Sequence, residues 1–144
     1  MSLKQQLHKA ILSNDQATIQ RLVKSLVHEV VLDTFLEVAF DTDNLAVYEI
    51  VCNLIQVEQT AELEEAASLL MSQPFCHHPH AYERAYEHAK RAVELDTRRI
   101  DLKEYLLFFN TIPDKLMTDA EANDLAIEIL KLRPSSQVAK LHLQ

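Results

Sequence analysis

The side chains best suited to bind a metal or move a proton are Cys76, His77, His78 and His80, with His88 further on. Zinc takes cysteine sulfur and imidazole nitrogen in a tetrahedral arrangement. The spacing here does not suit that geometry. On regular backbone the adjacent side chains of His77 and His78 point apart, and Pro79 stiffens the segment between them and His80. His80 and His88 are more than two helical turns apart, too far to hold one ion from one helix. The segment therefore reads as a connection with polar capping residues, and no metal or cofactor is expected. A metal, were one held, would fall to Cys76, His77, His78 and His80. His88 lies between Ala85 and Ala92 at helical spacing, on the edge of a packed face. It reads as a core histidine with one ring nitrogen hydrogen-bonded. Acid–base work would need a carboxylate or nucleophile beside it, brought from elsewhere in the chain.

Two further groups suit recognition. Glu58, Glu62, Glu64 and Glu65 form an acidic run. Glu58, Glu62 and Glu65 follow i, i+4, i+7 spacing across the start of a helix and are the best candidates for docking a basic partner. Tyr82 and Tyr86 sit one turn apart, with Tyr105, Phe108 and Phe109 on the next helix. Core packing accounts for rings at such spacing; exposed tyrosines would instead line a peptide groove.

The chain that must position these groups has 144 residues, 48% of them hydrophobic and 25% charged, which is ordinary for a globular protein. It contains no glycine. Phosphate-binding loops, dinucleotide fingerprints, nucleophile elbows and calcium-binding loops all use backbone conformations that glycine supplies, so their usual forms are excluded. Tight β-hairpins favour glycine too, and a β-rich fold is not expected. Helices must end on Asn, Asp, His or Pro instead. The two cysteines, Cys52 and Cys76, have no partner at metal or redox spacing and read as reduced, mostly buried thiols. A net charge of −8 disfavours nucleic acid and suits a basic partner. No apolar run approaches the ~18 residues that span a bilayer, and the start of the chain lacks a signal-peptide pattern, so a cytoplasmic location is expected.

Apolar residues recur at helical spacing almost throughout, which predicts an all-α fold of about eight helices in short-looped antiparallel hairpins. The first helix carries Leu3, Leu7, Ala10 and Ile11, and Ser13 with Gln16 has capping-box spacing. A second carries Ile19, Leu22, Val23 and Leu26, and a third runs from about His28 to Phe40. The fourth holds Val47, Ile50, Val51, Leu54 and Ile55, a wide apolar face that predicts a central position. A fifth follows Thr60, with Leu63, Ala66, Ala67 and Leu70 inward and Glu62 and Glu65 outward. The sixth reaches from Pro79 to about Leu95, and the seventh spans about 101–110 with Asp101 and Glu104 as cap and partner. The eighth opens on Thr118–Glu121 and ends before Pro134, and a short tail helix follows. One domain, 1–144, is expected, with N-terminal hairpins over about 1–58 and a repeated pair over about 59–134.

The repeat is carried by Ala85, Ala89, Ala92 and Thr97, which match Ala122, Ala126, Ile129 and Pro134, each pair 37 residues apart. Small residues that admit a close helix crossing, followed by proline at the end of the unit, resemble the second helix of a tetratricopeptide (TPR) repeat, whose period is about 34 residues. The resemblance, TPR-like or HEAT-like, covers residues about 61–134. Thr97 stands where the family has proline, and Lys103 where it has tryptophan. It implies an α-solenoid that binds a protein or peptide and performs no catalysis. In general style the chain also resembles small acidic bacterial immunity proteins, which cover the active site of a toxin. Two alternatives stand beside this reading. One is a small metal-binding or hydrolytic protein using the Cys76–His88 region. The other is a structural homodimer joined through the fourth helix.

Overall fold

A computed structural model describes residues 1–143 as helices joined by short connections, with no strand among them. In chain order these are α1 (Leu3–Leu12), α2 (Gln16–Ser25), α3 (His28–Thr42), α4 (Ala46–Val57), α5 (Ala61–Ser72), α6 (Ala81–Leu95), α7 (Ile100–Leu106), α8 (Phe108–Thr111), α9 (Asp119–Leu132) and α10 (Gln137–His142). None of them is long and apolar enough to cross a membrane.

Without glycine, the left-handed turns fall to other residues. Asn14, Asp43, His80 and Lys115 all have positive φ, at 55°, 49°, 62° and 41°. Asn and Asp tolerate this conformation best because their short polar side chains bond locally. The caps follow suit. Thr60 accepts from the Leu63 amide at 3.1 Å, and Thr118 and Glu121 form a reciprocal capping box. Two expected caps differ. Ser13 ends α1, and Asp15 is the residue that caps α2, accepting from Thr18. Asp101 lies inside α7, whose N-cap is Arg99; Glu104 is drawn instead to Arg133 and Ser136.

Successive helices pack in a chain of contacts. α1 lies on α2 and α3, α3 and α4 lie on α5, α5 on α6, α6 on α7, α7 on α9, and α9 on α10. The main hydrophobic core draws on residues from Leu7 to Ala139, and Ala61, Ala92 and Leu102 form a second, small cluster. The central helix is α5, not the apolar α4. Ala61, Glu64, Ala66, Ala67, Ser68, Leu70, Met71 and Ser72 are all buried, so α5 is enclosed on several sides. Its small residues allow α3, α4 and α6 to approach together. The apolar stripe of α4 is consumed inside the fold: Val47, Ile50, Val51 and Leu54 are at most 4% exposed. A homodimer joined through that face therefore has no free surface there.

Three pairs of positions 37 residues apart share their burial in the second half. Ala85 and Ala122, Ala89 and Ala126, and Ala92 and Ile129 are all buried. The helix ends match as well. Asp96 closes α6 at φ −142°, ψ 88°, and Arg133 closes α9 at φ −140°, ψ 88°. The next helices, α7 and α10, start in the same register, after Arg99 and Ser136.

Candidate functional site

A depression with mostly apolar walls opens where the N-terminal hairpins meet α5. Its volume is about 290 Å³. Val23 from α2, Leu26 from the α2–α3 turn, Leu54 and Val57 from α4, and Leu63 and Ala66 from α5 supply its floor and walls. The rim carries Glu58, the C-cap of α4, and Glu62 in the first turn of α5. A second depression continues past Glu62 to Val27, Glu29, Leu32 and Asp101. Val27 and Val57 are 68% and 61% exposed. Among the described residues Glu29, Glu58 and Glu62 enter no ion pair, and Lys24 is the one cation on the first rim. The first depression is thus an apolar trough edged by Glu58, Glu62 and Lys24, and the second carries Glu29 beside the paired group of His28, Glu65, Arg99 and Asp101.

Of the three glutamates expected on an acidic face, Glu58 and Glu62 enter no ion pair among the described residues, whereas Glu65, which lines the second depression, does. Its side chain is 12% exposed and accepts two hydrogen bonds from Arg99, at 2.9 and 3.2 Å, and one from His28 at 2.9 Å. Burial alone would raise its carboxyl, but the bonds from His28 and Arg99 outweigh that and hold it below the ordinary range. Asp101 shares the Arg99 guanidinium at 2.6 Å, and that bond lowers its own carboxyl. Glu65 ties α5 to α3 and to the start of α7. It is a structural residue.

Glu64, which reads as one more surface acid, is 1% exposed. Its Oε1 lies 2.6 Å from His88 Nδ1, and its Oε2 accepts from Gln59 at 3.0 Å. His88 Nε2 is in turn 2.7 Å from the Tyr48 hydroxyl. The carboxylate can only accept, so Nδ1 carries a proton, and in the neutral ring Nε2 accepts from Tyr48. Burial pushes the His88 ring below its usual range against the opposing pull of Glu64. Burial also pushes the Tyr48 phenol up, and with it the neighbouring Cys52 thiol. Both ring nitrogens of His88 are engaged, where the sequence pattern predicts one. The acid and the hydroxyl come from helices 24 and 40 residues away.

This arrangement sets a pH dependence. The folded-state pKa of His88 is depressed, so its contribution to stability is present above the ordinary value of about 6.5 and is lost as pH falls through the lower folded value. The melting temperature of the parent chain should fall as pH drops from about 7 to about 5. His88→Gln should fall less steeply over that window. An equally steep fall would show that His88 is not held neutral.

The His-rich connection divides. His77 and His78 lie side by side, ring centroids 4.4 Å apart, and both face Asp43 in the α3–α4 turn. The expectation that they diverge fails because Gln73–Pro79 is a run of turns, not regular backbone. His80 turns away to Glu83, and Cys76 lies near Tyr82. His80 and His88 border a separate shallow depression with Tyr48, Arg84 and Arg91. The Cys76–His88 segment thus does not converge on one pocket. Tyr86 is 8% exposed and packs on Phe109, and Tyr82 is half-buried against Phe108. Tyr86 belongs to the core, and neither ring lines the apolar trough.

Comparison with protein families, curated proteins and solved structures returns no match.

Proposed function

We propose that this chain is a non-enzymatic protein-interaction module. It receives an amphipathic, basic helical segment of a partner protein in the trough between α2, the start of α3, the end of α4 and the start of α5. The observation that carries this reading is the pairing of exposed Val27 and Val57 with carboxylates that have no cation of their own, Glu29, Glu58 and Glu62. Apolar side chains at i, i+3, i+4 and i+7 of a partner helix would fill the trough, and flanking Lys or Arg would meet its rim. The excess of 22 acidic over 14 basic residues adds long-range attraction for such a partner. The 37-residue relation between α6 and α9 supports a TPR-like reading of the second half, a scaffold class that serves recognition. A basic toxin, of the kind that immunity proteins neutralise, is one partner of this description.

Two synthetic helical peptides test the reading, one with leucines at those positions and lysines elsewhere, the other with glutamates replacing the lysines. Fluorescence anisotropy should show saturable binding of the first and not of the second. Glu58→Lys with Glu62→Lys should slow association and flatten its salt dependence, since exposed charge acts over a Debye length of about 8 Å. Equal binding of both peptides, or an unchanged salt slope in the double variant, would show that the trough is not the binding surface.

A further inference from the structure

We propose that Asp43, His77 and His78 form a binding site for a divalent transition-metal ion of the zinc class. The site lies at the end of the molecule where the α3–α4 turn meets the α5–α6 connection, and it takes no part in the trough. One ligand atom from each residue lies within 4.8 Å of the other two. His77 Nε2 is 3.1 Å from Asp43 Oδ1, and His78 Nε2 is 3.7 Å from the same oxygen. Ligand atoms about 2.0–2.1 Å from a tetrahedral zinc are separated by roughly 3.3–3.4 Å, midway between those two values.

The local structure holds the donors in place before any ion arrives. Asp43 is the left-handed C-cap of α3, at φ 49° and ψ 31°, which turns its side chain out of the helix end. Phe75 is fully buried, and the His78 amide bonds back to its carbonyl at 3.0 Å. The His78 ring stands edge-on to Phe75 at 5.7 Å, so this imidazole is anchored to the core. The strongest single sign is His78 Nε2 itself. That atom is shielded from solvent and has no hydrogen-bond partner, the Asp43 oxygen being too distant to supply one. An imidazole nitrogen left bare beside a carboxylate and a second imidazole is the arrangement a metal would complete.

The donor set selects the ion class. Two imidazoles and one carboxylate favour zinc, cobalt, nickel or copper over calcium or magnesium, which prefer all-oxygen shells. Asp43 and His77 are more than half exposed, so an ion can enter from solvent and the fourth position stays open to water. Such an ion would clip together two turns 34 residues apart in sequence. Cys76 and His80 play no part.

The test uses the full chain without a polyhistidine tag, stripped with chelator and titrated with cobalt(II) and with zinc alone. Cobalt should give the visible absorption of an ion bound to nitrogen and oxygen, and calorimetry with zinc should saturate at one ion per chain. His77→Ala, His78→Ala and Asp43→Asn should each weaken zinc binding at least about tenfold, with unchanged circular dichroism. His80→Ala should bind like the parent. No saturable binding by the parent overturns the proposal. So does a loss in His80→Ala as large as in the three ligand variants.

Discussion

Ala92→Arg should unfold or severely destabilise the chain. Ala92 is fully buried where α6 crosses its neighbours, packed with Ala61, Leu102 and Val93. An arginine there either overpacks the crossing, at about 1–3 kcal/mol, or buries an unpaired charge, at about 3–5 kcal/mol. Total stability for a chain of this kind is about 5–15 kcal/mol. At about 2–4 °C per kcal/mol, the melting temperature should fall by roughly 2–12 °C if the crossing is overpacked and by roughly 6–20 °C if the charge is buried. Asn123→Arg, at an exposed position of α9, is the control and should melt like the parent. Thermal melts followed by circular dichroism decide the matter. A parent-like melt for Ala92→Arg would mean that the close crossing of α5, α6 and α7 is not formed as described.

The second large effect separates two neighbouring glutamates that look alike in sequence. Glu65→Lys sets a cation against Arg99 and His28 in a site where the native side chain is 12% exposed, and should cost about 2–4 kcal/mol. Glu62→Lys, three residues earlier on the exposed side of the same helix, should change stability by about 0.5 kcal/mol or less. Chemical denaturation of the two single variants measures both. Equal stabilities would show that the Arg99–Glu65–His28 linkage contributes nothing to the fold.

The helices are legible in the sequence because local rules govern them. The apolar period places α1 to α6 and α9, and the Thr118–Glu121 box is found where its spacing puts it. The pattern 37 residues apart can be read because close crossings demand small side chains wherever they recur. Polar residues mislead for the opposite reason. Glu64 and Glu65 look like solvated acids, yet their partners are His88, Gln59, Arg99 and His28, and three of those lie 24 to 37 residues away. A buried charge is stable only through partners that local spacing does not reveal. Asp43 does not stand out beside His77 and His78 because the contact joins two turns, and turns carry no period. The sequence pattern reads as one helix over 101–110, whereas Leu107 interrupts it between α7 and α8. The trough is half visible, through Glu58 and Glu62; its apolar floor needs α2, α4 and α5 side by side.

The trough at α2, α4 and α5 is the proposed recognition surface. Isotope-labelled chain titrated with the leucine–lysine helical peptide, followed by amide and methyl chemical shifts, tests it most directly. The expected result is a saturable set of shifts centred on Val23, Val27, Val57 and Leu63, which fades when Val57→Asp places a charge in the trough. Shifts centred on α9 and α10, or a Val57→Asp chain that binds as tightly as the parent, would contradict it.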